Sequence, residues 1–125
     1  MSLQSSKIIA FAATRNRDRA KEFYQETLGL RLVSEDQFAI VFDANGTMLR
    51  VTPVREIAPA EYTVLGWEVT DIIADVRALT AKGIKFERYE GFQHDELGIW
   101  HSPDGRAKVA WFLDPDGNNL SLAQH

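Results

Sequence analysis

The sequence predicts an α+β chain made of two tandem βαβββ modules. Three observations carry this. The order strand, cap, helix, glycine, then three strands occurs twice. FDANGTMLRVT, Phe42 to Thr52, aligns without a gap on LDPDGNNLSLA, Leu113 to Ala123. In that alignment Asp43 falls on Asp114, Gly46 on Gly117 and Arg50 on Ser121. A repeat of this kind means two similar units that each leave one sheet face uncovered.

The first module spans about residues 8–54. Ile8 to Ala13 is a short apolar run with β-branched and aromatic residues, and reads as a buried strand. Thr14-Arg15-Asn16 breaks it and offers a cap. Arg17 to Leu28 reads as a helix, with Ala20, Phe23, Tyr24 and Thr27/Leu28 on one face. Gly29 stands where a left-handed cap is wanted. Leu30 to Ser34, Phe38 to Phe42 and Thr47 to Val54 read as strands, with Ala44-Asn45-Gly46 turning between the last two. Residues 55–61 form the linker, marked by Pro53 and Pro59.

The second module spans about residues 62–124. Thr63 to Val69 is a strand and Thr70-Asp71 a cap. Ile72 to Lys82 is a helix with Ile73, Val76, Leu79 and Thr80 on one face. Gly83 ends it. Ile84 to Tyr89 is a strand. Gly91 to Gly105 reads as a polar loop, a solvated lid rather than a metal site although it holds His94, Asp95, Glu96 and His101. Ala107 to Leu113 and Asn119 to Ala123 are strands around the Asp114-Pro115-Asp116-Gly117 turn.

The 125 residues are 45% hydrophobic and 26% charged, enough for a core. No apolar run reaches the ~20 residues of a membrane helix. The polar start, Met1 to Lys7, lacks a secretory pattern. The chain has no cysteine, which excludes disulfides and thiolate chemistry and agrees with a cytoplasmic protein. Net charge is −4, and Arg15, Arg17, Arg19 and Lys21 are interrupted by Asp18 and Glu22. That is no nucleic-acid footprint. Nucleic-acid and membrane partners are therefore not expected.

Three segments carry a family resemblance: RAKEFYQETLGLRL (Arg19 to Leu32), GWEVTDI (Gly66 to Ile72) and FLDPDGNNLSL (Phe112 to Leu122). Together, and in this order, they resemble the glyoxalase/bleomycin resistance/extradiol dioxygenase (vicinal oxygen chelate) superfamily. The resemblance implies a glyoxalase-like fold whose modules form half-barrels around a cavity. In metal-dependent members that cavity holds a divalent ion on four ligands, usually His, Gln or Glu. Carried over one at a time, those positions fall on Ile9, Arg50, Val64 and Ser121. None is a usual ligand: two have no donor atom, Arg50 is a permanent cation and Ser121 a weak neutral oxygen.

The expectation is thus a member without the family metal or any other cofactor. It would bind a small aromatic or amphipathic molecule, as the bleomycin resistance branch does, and form a homodimer. Strand parity relative to the four positions nominates Phe11, Met48, Arg50 and Glu68 as ligand contacts, and the resemblance implies that the strand before the DPDG turn points Val109 and Trp111 inward as well. Trp100 is added as a ring folding over the cavity mouth. Arg50 would pair with a ligand carboxylate or with Glu68. A second reading is a lyase or isomerase using Glu68, Arg50 or His101, with Glu68 and His101 as candidate catalytic groups. A third is a metal-dependent glyoxalase or dioxygenase, and a fourth a regulatory domain with a collapsed cavity. The bland alternatives are that Trp111 and Met48 fill core and that Arg50 and Glu68 form a structural ion pair.

Overall fold

A computed structural model describes residues 2–125, so Met1 of the polar start lies outside the described residues. The chain divides into two compact units, Met1–Ile57 and Ala58–His125.

In the first unit, β1 (Ile9–Thr14) leads to α1 (Arg17–Glu22), which continues as one π-helical turn over Phe23–Thr27. β2 (Arg31–Glu35), β3 (Ile40–Ala44) and β4 (Thr47–Pro53) follow, in the sheet order β1-β4-β3-β2. β1 runs parallel to β4, and the other pairs are antiparallel. The Asn16 side chain caps α1 by accepting from the Arg19 N–H at 3.1 Å. The single helix expected over Arg17 to Leu28 changes character at Phe23, where the Leu28 N–H reaches back five residues to the Phe23 carbonyl. This widening still buries Ala20, Phe23 and Tyr24 on one face, with Tyr24 set 5.8 Å from Phe42.

The face of the sheet bearing Ala12, Leu49, Val51, Ile40 and Phe42 is buried. Cross-strand register puts Ile9, Phe11, Met48, Arg50, Val41 and Asp43 on the opposite face. Phe38 is not part of β3. The Asp36 carboxylate accepts from the Phe38 and Ala39 N–H groups, which tightens a turn there and leaves Phe38 exposed. The strand starts only at Ile40. Asn45 and Gly46 both take positive φ in the β3–β4 hairpin, as a two-residue turn requires.

The second unit repeats the topology. β5 (Leu65–Glu68), α2 (Ile72–Ala81), β6 (Phe86–Glu87), β7 (Trp100–His101), β8 (Lys108–Leu113) and β9 (Asn119–Gln124) form a sheet in the order β5-β9-β8-β6, with β7 also paired to β8. Again the first and last strands are parallel. Asp71 caps α2 by accepting from the Ala74 N–H at 3.1 Å. The buried residues of α2 are Ile72 and Val76, four apart, while Ile73 is exposed. Val76 is thus buried as its apolar spacing predicts, but Ile72 rather than Ile73 joins it. The Gln124 side chain, accepting from the Ile72 N–H at 2.9 Å, fixes that start.

Two further expectations are corrected. The strand expected over Ile84 to Tyr89 is paired only at Phe86–Glu87. Past it, the Tyr89 N–H donates to His94 Nε2, and Arg88 donates to the carbonyls of Asp95 and Glu96, so the backbone leaves the ladder. The segment 91–105 is not an open solvated lid. Its centre joins the sheet as β7, and a single bridge pairs His94 with Trp100. Among the described residues, no helix is long and apolar enough to cross a membrane.

Candidate aromatic site on the second sheet

The face of the second sheet turned away from α2 carries the densest chemistry. Register places Gly66, Ser121, Trp111 and Glu87 in one row across it, and Glu68, Ala123, Val109 and Trp100 in the next. Three predicted contacts, Trp100, Val109 and Trp111, therefore come together. Trp100 does not arch over a cavity mouth. It is a strand residue opposite Val109, with its ring 6.2 Å from Trp111.

Trp111 is the hub of this face. Its ring lies 5.4 Å from Tyr89, 5.9 Å from Phe92 and 6.1 Å from His94. Phe92 also approaches Trp100 at 5.7 Å. Edge and tilted contacts of this kind add to the burial of each ring. Tyr89, Phe92 and His94 were not nominated from the sequence as ligand contacts. They sit outside regular strands, where period-2 counting has no purchase.

His94 is a structural staple. Its Nδ1 faces the Gly98 carbonyl at 2.9 Å and its Nε2 accepts from the Tyr89 N–H at 3.0 Å. Both nitrogens are engaged, which fixes the Nδ1–H tautomer. Asp95 organises the same loop. One carboxylate oxygen accepts from the Leu97 and Ile99 N–H groups at 2.9 Å each, and the other meets His101 Nε2 at 2.9 Å. The sequence offered His101 no partner; the loop supplies Asp95.

Burial pushes the Asp95 carboxyl up, but the His101 contact and the Ile99 and Leu97 N–H groups outweigh it and leave its pKa below the ordinary value. Its contribution is therefore complete above the unfolded carboxylate value of about 4, and is lost as pH falls through the depressed folded value. Acid titration should release the loop, read as a change in Trp emission below about pH 4 that Asp95→Asn brings on already at neutral pH. An acid transition that is the same in Asp95→Asn would contradict this assignment.

A cavity of about 370 Å³ opens beside Trp111. Tyr62, Tyr89, Phe92 and Trp111 form its aromatic wall, and Glu61, Thr63, Glu90 and Asn119 its polar parts. Asn119 is only 6% exposed. Its Nδ2 donates to the Tyr89 hydroxyl at 3.1 Å, and among the described residues no donor reaches its buried Oδ1.

Among the described residues, the cavity lining does not include the other nominated residues, although Glu68 shares the sheet face in the row of Val109 and Trp100. Glu68 is exposed at the end of β5. Phe11, Met48 and Arg50 belong to the first unit, where Phe11 and Arg50 are neighbours across β1 and β4. Phe11 is 58% exposed, so its apolar surface is presented rather than buried. The Phe38 and Ala39 N–H groups, helped by the charges of Arg50 and Arg17 and opposed by partial desolvation, hold the Asp36 carboxyl below its ordinary pKa. Ile9 and Met48 border a cavity of about 400 Å³ together with Lys7, Arg31 and Asp43.

The four residues that the resemblance puts at the family's metal-ligand positions do not fit an ion. Ile9 and Val64 are exposed hydrocarbon. Arg50 carries a positive charge beside Phe11 and Val41. Ser121 is buried, with its hydroxyl oxygen 3.0 Å from where a Cβ on Gly66 would stand. Among the described residues, no three His, Asp or Glu side chains gather closely enough to hold a metal.

The model for the Glyoxalase/Bleomycin resistance protein/Dioxygenase superfamily matches residues 9–122. The chain belongs to this superfamily. Its fold is shared by lactoylglutathione lyase from Agrobacterium tumefaciens, at 18% identity and TM-score 0.73, covering 95% of this chain and 93% of that one. It is also shared by the genomically encoded fosfomycin resistance protein FosX from Listeria monocytogenes, at 11% identity and TM-score 0.77, covering 97% and 93%. A superfamily member from Sphaerobacter thermophilus is 23% identical with TM-score 0.71, covering 94% and 97%. At these identities the likeness is one of fold. No curated protein matches the chain.

Proposed function

We propose that this superfamily member binds a small aromatic or amphipathic molecule without the family's metal, and that the aromatic face around Trp111 is where it does so. One observation carries the reading: the rings gathered around Trp111 stand beside a cavity of about 370 Å³. That volume lies within the range of small-molecule sites, which are typically apolar with a few placed polar groups. The donor-poor residues at Ile9, Arg50, Val64 and Ser121 support the metal-free part.

A homodimer belongs to the same reading. Ile9, Phe11, Val33 and Met48 leave apolar surface exposed on the first unit, and a second copy is the commonest cover for such a face.

The lyase or isomerase reading comes second, and the Asp95–His101 contact is what favours it. A carboxylate on one ring nitrogen orients an imidazole as a general base. His101 is exposed and accessible to a substrate. Among the described residues, Glu68 and Arg50 have no comparable side-chain partner.

The test separates these readings. Protein incubated with Ni, Zn, Mn and Fe(II) and then desalted should retain far less than one ion per chain. Aromatic compounds should change its Trp emission and be recovered chemically unaltered. Close to one ion per chain would return the metal-dependent reading, and a changed product removed by His101→Ala would return the second.

A further inference from the structure

The cavity beside Trp111 has a one-sided chemistry. Its charged lining residues are Glu61 and Glu90, both carboxylates, and no Lys or Arg lines it. Four aromatic side chains line it, and aromatic faces attract positive charge through their quadrupoles. The nearest arginine in sequence, Arg88, is committed to the carbonyls of Asp95 and Glu96 at 3.0 Å each. Glu87, opposite Trp111 across β6 and β8, adds a further carboxylate on the same sheet face.

A second observation points the same way. Asn119 lines this cavity, is 6% exposed, and keeps its Oδ1 buried with no donor among the described residues. Its Nδ2 is already used on the Tyr89 hydroxyl. The unused end of the amide is an acceptor, so the wall adds partial negative charge and no donor at this point. The contrast is with the first unit, whose cavity is bordered by Lys7 and Arg31 as well as Asp43.

Resting on the reading that this cavity binds a small aromatic molecule, we infer that its ligand is an organic cation carrying N–H, of the protonated aromatic amine or amidine class. The ring stacks against Trp111, and the charged nitrogen is directed to Glu61 and Glu90, with the Asn119 oxygen adding an acceptor behind the wall. A carboxylate in the same place would face two like charges and an acceptor. About 370 Å³ suits a ligand of one or two rings.

The test uses the full chain and three near-isosteric probes: benzamidinium, benzamide and benzoate. Affinities are measured at low salt by NMR titration, following the Trp indole N–H signals. Benzamidinium is expected to bind at least about tenfold more tightly than benzamide, with benzoate weakest, and its advantage should shrink as salt is raised. The double substitution Glu61→Gln and Glu90→Gln changes exposed side chains. It should reduce the preference for benzamidinium over benzamide at least about threefold, a screened-charge effect. Equal or tighter binding of benzamide or benzoate would overturn the cation assignment and leave the aromatic site standing. A benzamidinium affinity unmoved by the double substitution would overturn it too. No binding of any probe at millimolar concentration would overturn both.

Discussion

Asp114→Ala should lower the stability of the chain by about 3 kcal/mol, and Asp43→Ala by about 1 kcal/mol or less. The two aspartates occupy equivalent places in the repeat, yet their surroundings differ. Asp114 is 5% exposed. Its Oδ1 accepts from the Asp116 and Asn118 N–H groups at 2.9 Å each, and its Oδ2 accepts from Asn118 Nδ2 at 2.7 Å. Removing it strands buried donors in the turn that joins β8 to β9. Charge-assisted bonds of this length are the stronger kind, and orphaned donors carry the full desolvation cost. Asp43 is half-buried. It accepts from the Gly46 N–H at 3.0 Å and meets the exposed Arg31 only at 3.7 Å. Water replaces what its removal takes away. Chemical denaturation of the two variants gives both numbers, and equal losses would contradict the asymmetry. Asp114→Asn should fall between, because its Oδ1 acceptor can remain while its amide opposes the Asn118 amide donor.

Trp111→Ala should weaken aromatic ligand binding by at least about tenfold and cost about 2 to 3 kcal/mol of stability, less than a fully buried Trp because the residue is half-exposed. Tyr89, Phe92, His94 and Trp100 all rest on this ring, so its loss removes the stacking wall and loosens the loop together. Trp111→Phe should recover most of the stability and only part of the affinity, since it keeps an aromatic face of smaller area. Ligand affinity unchanged in Trp111→Ala, measured by NMR titration, would place the site elsewhere.

The two halves' element order, the caps at Asn16 and Asp71 and the hairpin at Asn45-Gly46 were legible because each is a local signal, carried by residues within a few positions of one another. That Val109 and Trp111 share one face was legible for a similar reason: a strand alternates faces with period 2. The α2 face was misread only at its first residue. Ile72 and Ile73 are equally apolar, and it is the Ile72 N–H that donates to Gln124, distant in sequence.

The cage itself lay out of reach. Gly91 to Gly105 reads as polar and irregular, and its contribution depends on pairings no periodicity announces. Examples are Tyr89 with His94, Asp95 with Leu97, Ile99 and His101, and Trp100 with Val109. Asn119 looked like the start of a strand after a turn. Only the approach of Tyr89 shows that one end of its amide is used and the other is not.

The sequence by itself determined the superfamily and the doubled βαβββ plan. These depend on residue identity and short-range spacing. The tertiary structure alone decided which aromatic rings meet, that both nitrogens of His94 are consumed, and that the charged lining at Trp111 is carboxylate. Those are relations between side chains on different strands and loops. Strand pairing and irregular loop contacts fix them, and neither leaves a period in the chain.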